Sequence, residues 1–400
     1  MKTTPLGNLA TVVTGGTPDR GTPAYWGGSI PWVGTGEIDF NVIASPTEYL
    51  TERGLKESAA RLLPKGTLLM AMYGQGTTRG KVGILAIEAA TNQACAAIVP
   101  KAGLIESEFL FYVLEASYTR IRRLSNTGSQ ENLNSTLIRE IPVPVLTKAA
   151  RDEIVSVARE WNAAIEKATA LLAALEQRKQ GLMQQLLTGR RRLKGFKGKW
   201  KAVSIGSFAT HASNINKSGH ALPVLSCTKY AGLVDSLSYF GKQIFSQNTS
   251  TYKLVARGQF AYATNHIEEG SIGYQGLYDA ALISPMYTVF EVNASAVDHG
   301  FLYKLLKTEA MRRVFESSTH GSVARRGSLR WPEFAKLKIT VPPLSEQTAI
   351  ASLLDVASKE IELVSAEIAQ LRTQKRALMQ KLLSGDWRMP KTAHSKEFST

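Results

Sequence analysis

The stretch QRKQGLMQQLLTG (177–189) has the pattern of the last turns of a helix running into a glycine stop, and TQKRALMQKLLSG (373–385) writes the same ending again. At an offset of 196 residues, LEQRKQGLMQQLLTG (175–189) and LRTQKRALMQKLLSG (371–385) share eight of fifteen residues, which is not a chance likeness between generic helices. Upstream, IPVPVL (141–146) answers ITVPPL (339–344) after a two-residue gap, FLFYVL (109–114) answers FLYKLL (301–306), and LGNLA (6–10) answers IGSFA (205–209). The chain therefore reads as a tandem duplication of about two hundred residues, with dissimilar stretches where the copies diverged.

Each copy ends in a long heptad-patterned helix. In the first, Ile154, Trp161, Ala168, Leu175 and Leu182 recur every seven residues, each followed four residues later by Ala158, Ile165, Leu172, Lys179 and Leu186. The second gives Ile350, Ala357, Val364, Leu371 and Leu378 with Leu354, Ile361, Ile368, Lys375 and Leu382. Such a seam predicts a coiled coil. Lys179 and Lys375 share one seam position; the plain expectation is two stems snorkelling at a frayed end, and the sharper one is a register or partner device. The helices are expected to open after Pro144 and Pro342-Pro343 and to close at Gly189 and Gly385, as rods of roughly 60 Å. A rod cannot leave its seam in water, so the two are expected to pack antiparallel as a spacer between two globular heads.

The heads read as mixed α/β. Apolar runs such as GTLLMAMY (66–73), KVGILAI (81–87) and ACAAIVP (94–100), split by Gly, Asn and Thr, have strand and turn chemistry, and QFAYAT (259–264), SIGY (271–274) and MYTVFEV (286–292) match them. A shorter amphipathic helix is expected in each head, around 107–123 and 298–316. The expected divisions are a first head over 1–146, a spacer helix over 147–189, a basic linker over 190–201, a second head over 202–344, a second spacer helix over 345–385 and a polar tail. In GRRRLKGFKGKWK (189–201), seven of thirteen residues are basic, with Phe196 and Trp200 interleaved; it reads as a solvated linker or as a strap for phosphates.

Composition narrows the function. Four hundred residues exceed one core and predict two or three domains. Lys and Arg outnumber Asp and Glu by 48 to 33, which favours a polyanionic partner, nucleic acid before membrane. The start MKTTPLGN has no signal-peptide core, so a cytoplasmic protein is expected. Cys95 and Cys227 lie far apart without a CxxC or His-rich companion, so two inert thiols are expected. Catalytic constellations are missing: GQGTTRGKVG (74–83) has the wrong glycine spacing for a phosphate loop, and neither GxSxG nor HExxH occurs. No Asn-Pro-Pro-Tyr or Asp-Pro-Pro-Tyr segment marks an amino-methyltransferase. The chain is expected to carry no catalytic site, metal or cofactor.

GGTPDRGTPAYWGGSIPWV (15–33), LTERGL (50–55), LLPKGTLLMAMYG (62–74), TNQA (91–94) and GSQENL (128–133) resemble the target-recognition domain of specificity subunits of type I restriction-modification systems. VPPLSEQTAIASLL (341–354) with QKRALMQKLLSG resembles the spacer region of the same subunits, and the resemblance covers nearly the whole chain before Gly385. The first copy departs with LTKAAR (146–151) where the second has LSEQTA (344–349), and the second head lacks a GGTP segment. The resemblance implies a sequence-specific, non-catalytic DNA-recognition subunit. Each head would read one half of a bipartite, asymmetric double-stranded site, and the helices would set the gap between halves. It also implies two modification subunits that bind S-adenosylmethionine and methylate adenine, and restriction subunits that use ATP and Mg.

Reading a base edge in the major groove needs Arg, Lys, Asn or Gln on protruding backbone. In the first head the candidates are Gln75, Thr78, Arg79 and Lys81, then Ser129, Gln130 and Asn132. In the second they are Lys229, Tyr230, Asn265, His266, Arg325, Arg326 and Arg330. Arg122, Arg123, Arg312 and Arg313 fit a solvated helix face as well as a contact, and Trp26 and Trp32 fit a core. Two rivals stand beside this reading: a coiled-coil scaffold without a DNA role, and a self-sufficient methyltransferase or nuclease.

Overall fold

The computed structural model describes residues 2–74, 76–124, 132–319 and 328–387, which fall into two units, Met1–Thr169 with Ala366–Thr400 and Ala170–Ser365. In the first unit, the run around Leu68 is a strand with Leu68, Leu69, Met70 and Ala71 all fully buried. Because successive side chains point to opposite faces, Leu68 and Met70 join one cluster while Leu69 and Ala71 join another. A strand covered on both faces shows no polar alternation, which is why the sequence reads as a continuous apolar run.

That strand is central in a five-stranded sheet ordered Ala10–Thr14, Cys95–Pro100, Leu68–Ala71, Val82–Leu85, Val42–Ile43, antiparallel except for the last pair. Helix Ser107–Ala116 covers one face with Phe109, Leu110, Val113 and Leu114. A second sheet, Glu48–Leu50, Trp26–Val33 and Ala90–Thr91, has Trp26–Val33 parallel to Ala90–Thr91. The GGTP motif serves close chain packing: a Cβ at Gly15 would meet the Thr91 carbonyl oxygen at 2.0 Å, and one at Gly16 would meet Ala59 at 2.3 Å. Beside it, the Arg20 guanidinium lies 3.9 Å over the Trp26 ring, and Trp32 is buried with its Nε1 donating to the Gly16 carbonyl.

The second unit repeats the plan. Its four-stranded antiparallel sheet runs Ala209–Ala212, Tyr287–Val292, Phe260–Ala263, Ile272–Tyr274. Its second sheet runs Gly232–Asp235, Val224–Thr228, Ala280–Ile283, Lys253–Ala256, again with one parallel pair, Val224–Thr228 with Ala280–Ile283. Each unit also has a two-stranded antiparallel ladder at the root of its head, Thr3–Pro5 with Pro142–Pro144 and Lys201–Ser204 with Lys338–Val341. The expected amphipathic helices are each broken, into Ser107–Ala116 and Tyr118–Arg123 in the first unit and His299–Leu306 and Glu309–Thr319 in the second. In the second, the break sits where the Thr308 hydroxyl bonds back to the Leu305 carbonyl.

The two long helices are Lys148–Leu186 and Leu344–Ser384, of 39 and 41 residues, followed by left-handed Gly189 and Gly385. All twenty seam positions are buried or half-buried. At their roots the seams merge with the head cores. Ile154, Ala158, Met379, Leu382 and Leu383 pack with Phe109 and Leu110 in the first unit, and Leu186, Leu187, Ile350, Ala351 and Leu354 pack with Phe301 and Phe334 in the second. The helices run antiparallel within each unit: Trp161 shares a groove with Gln374 and Leu378 in the first, and Arg178 pairs with Glu360 in the second.

Lys375 does not snorkel. It is 7% exposed, and its Nζ donates to both carboxylate oxygens of Glu115 at 2.9 and 2.8 Å, 5.4 Å from the Tyr112 ring centre. Its counterpart Lys179 is half-buried. The basic linker is docked rather than free. Arg192 pairs with the fully buried Glu346, Trp200 packs edge-on to Phe301, and a Cβ at Gly198 would meet Pro343 at 2.5 Å. Burial pushes both the Cys95 and Cys227 thiols up to about 12, leaving them protonated at neutral pH. Among the described residues, no helix is long and apolar enough to cross a membrane.

Candidate nucleic-acid interface

In both heads part of the candidate set lies on a hairpin made by matching strands. Strands Leu68–Ala71 and Val82–Leu85 pair antiparallel in the first head, and Phe260–Ala263 and Ile272–Tyr274 pair in the second. The tip of the first carries Thr78, Arg79 and Lys81, and the tip of the second carries Asn265 and His266. A second segment is brought to each tip by one backbone bond at matching positions. Leu133 N–H donates to the Met72 carbonyl, and Leu329 N–H donates to the Thr264 carbonyl, both at hairpin exits. Leu133 and Leu329 are themselves buried, at 1% and 0% exposure. These anchors bring Asn132 to the first tip and Arg330 to the second.

The first tip is fastened to helix Tyr118–Arg123. Arg122 Nη2 donates to the Gly76 carbonyl, the Tyr118 hydroxyl donates to the Thr77 carbonyl, and Arg79 Nη2 donates back to the Arg122 carbonyl at 2.9 Å. Gly80, at φ +84, lets the chain return against the helix; a Cβ there would stand 3.2 Å from Ile121 Cγ2. Arg79 is consequently buried at 7% exposure, and Lys81 pairs with Asp39 at 2.6 Å, whereas Thr78 and Asn132 are half-buried.

The second tip is fastened in a similar way. Arg312 Nε donates to the Glu268 carbonyl at 3.2 Å, and its Nη1 pairs with Glu309 at 2.7 Å. Lys307 Nζ donates to the carbonyls of Gly270 and Lys229, at 2.8 and 2.6 Å, which joins the Lys229–Tyr230 turn to the tip. Burial holds the Lys307 ammonium below its ordinary range. Lys229 and Arg330 are exposed, Tyr230 is 84% exposed, Asn265 is half-buried, and His266 is exposed beside Glu269 at 3.3 Å. The ligand atoms of His266, Glu268 and Glu269 lie within 4.8 Å of one another, with His266 and Glu269 exposed and Glu268 half-buried.

Gln75, Ser129, Gln130, Arg325 and Arg326 lie outside the described residues. Sequence reasoning weighed Arg122 and Arg312 only as a solvated face or a contact and did not name Tyr118 or Lys307. The available signal was the double arginine on a short helix in both copies, Arg122-Arg123 and Arg312-Arg313. No convergence of acid, base and nucleophile in a cleft accompanies the tips among the described residues. The second tip presents exposed cations and an exposed aromatic, and both tips have fixed polar backbone, which suits contact with a polyanion bearing readable edges.

Comparison with known proteins agrees with the duplication. A family described as "Type I restriction modification DNA specificity domain" matches residues 1–177 and again 199–373. The MjaIX type I restriction enzyme specificity subunit of Methanocaldococcus jannaschii is 28% identical over 167 residues, 40% of this chain and 37% of that protein, so that match spans little more than a third of its length. The MjaVIII specificity subunit of the same organism is 22% identical over 372 residues, 86% of this chain and 85% of that protein. A solved structure of a type I restriction-modification system, concerned with its complex assembly and conformational transition, superposes with a TM-score of 0.62 at 17% identity, over 96% of this chain and 98% of that one.

Proposed function

We propose, from the premise that this chain belongs to the type I restriction modification DNA specificity family, that it is the DNA-recognition subunit of a type I restriction-modification complex. Each head reads one half of a bipartite, asymmetric double-stranded site, and the long helices set the gap. The observation that carries the reading is the doubled hairpin tip: the same strands and the same backbone anchor recur, while the residues at the tips differ, half-buried Thr78 and Asn132 against half-buried Asn265 and exposed His266 and Arg330. Equal scaffolds with unequal tips fit two unequal half-sites. The scaffold rival is not favoured, because the family match covers both heads as well as the helices.

The chain itself does no chemistry in this reading. Methylation of adenine with S-adenosylmethionine belongs to two modification subunits, and ATP- and Mg-dependent cleavage belongs to restriction subunits. Support for helix-borne partners comes from a stripe outside the seam of the second long helix: Leu353, Val356 and Leu363 are 37%, 65% and 60% exposed. Leucine and valine at that exposure on a helix face mark a contact surface. The matching positions of the first long helix are Val157, Glu160 and Lys167, so the stripe belongs to the second helix; two copies of one partner are inferred from the duplication itself. The expected setting is the cytoplasm. Binding of the full chain with its modification subunit to a random DNA pool tests the reading. Enrichment of a two-part motif with one fixed gap supports it, and enrichment of no motif refutes it.

A further inference from the structure

Not every basic residue at the tips is placed to touch DNA. Arg79 and Arg122 form a reciprocal fastening, each guanidinium donating to backbone on the other's element, and the Arg79 side chain is buried in doing so. Between them the Tyr118 hydroxyl takes the Thr77 carbonyl, so neighbouring tip carbonyls at Gly76 and Thr77 are both held by the helix. In the second head Arg312 holds the Glu268 carbonyl while its charge is met by Glu309, and Lys307 holds Gly270 two residues on.

We propose that Arg122 with Arg79 in the first head, and Arg312 in the second, are positioning residues for base discrimination: they fix the tip backbone and contact neither base nor phosphate. The inference rests on the DNA-reading function proposed above. Its physical ground is that phosphate attraction tolerates a displaced backbone, whereas a bidentate contact to a base edge needs placement within about 0.5 Å. Loosening one tip therefore costs discrimination at one half-site and leaves overall DNA attraction almost unchanged. Arg79 moves in this account from a base reader to a fastener.

The test maps methylated adenines in cells expressing the full chain with its modification subunit, for wild type, Arg122→Ala, Arg122→Lys and Arg312→Ala. Arg122→Ala is expected to reduce the preference for matched over single-mismatch sites about tenfold in one half of the motif only. Arg312→Ala is expected to do the same in the other half, and Arg122→Lys, which keeps the charge and a single donor nitrogen, to fall between. Binding titrations across salt should show the slope of log affinity unchanged for Arg122→Ala, whereas a lost phosphate contact lowers it by about 1. A slope lowered by that amount, or equal loss in both halves, overturns the proposal. Tyr118→Phe, which removes a single hydroxyl, keeps the test open should Arg122→Ala not fold. A wild-type map without a two-part motif refutes the function and this inference together; an intact wild-type motif untouched by the variants refutes the inference alone.

Discussion

The pair Glu115–Lys375 gives the sharpest energetic prediction. At 2.8 Å, with an effective dielectric of about 20, the Coulomb attraction is about 6 kcal/mol, but desolvation of both groups takes back most of it. The two substitutions therefore differ. Glu115→Ala leaves an ammonium at 7% exposure without its counter-charge, and removing one partner of a buried pair costs about 3–5 kcal/mol. The lower end applies, about 3 kcal/mol, because the pair keeps some access to water: the Glu115 side chain is 25% exposed. Lys375→Met keeps the stem's volume, removes the buried charge and leaves a carboxylate that water can reach, so it costs about 1 kcal/mol or less. The double variant should resemble Lys375→Met, a coupling of about 3 kcal/mol. For a unit of this size, about 3 kcal/mol is roughly 6–12 °C in melting temperature. Since the chain has two units, hydrogen exchange at the amides of Ser107–Ala116 gives the local measure. Lys375→Met as damaging as Glu115→Ala would refute the argument.

Other outcomes follow from the same geometry. Leu382→Ala, at a fully packed junction with the first head's core, should destabilise the first unit by about 2–4 kcal/mol, read from exchange in Leu68–Ala71. Lys229→Ala should leave the melting temperature unchanged, because the residue is exposed, while weakening binding to all DNA sequences and lowering the salt slope by about 1. The carboxyls of Glu48 and Glu106 are held low by Arg20 and Arg151, and that of Asp235 by the Ser238 backbone N–H. Groups lowered on folding stabilise above the ordinary carboxylate range and lose that contribution as pH falls through their folded values. The melting temperature should accordingly decline on acidification below about pH 4.5, and a rise there would contradict these assignments.

The features legible in the sequence were those written in local periodicity. The heptads marked both long helices, and the covering of all twenty seam positions, buried or half-buried, follows from a repeat of seven facing one partner. The runs at 66–73, 81–87 and 94–100 became Leu68–Ala71, Val82–Leu85 and Cys95–Pro100 because apolar strands buried on two faces have no other composition. What escaped were partners far apart in sequence. Nothing near Lys375 announces Glu115, 260 positions away, and the snorkelling expectation failed for that reason. Arg79, a base-reader candidate by residue type and loop position, is instead buried against the Arg122 carbonyl, a contact 43 positions away. Residue chemistry marked the hairpins as candidates, whereas the proposed division between fastening and reading rests on three-dimensional hydrogen bonding.

The most direct measurement of the central claim is a genome-wide map of methylated adenines in cells expressing this chain with its modification subunit, against cells lacking this chain. The account predicts a two-part asymmetric motif with one fixed gap, present only when the chain is present. No new methylation, from a partner shown to be expressed and assembled with it, would contradict the account.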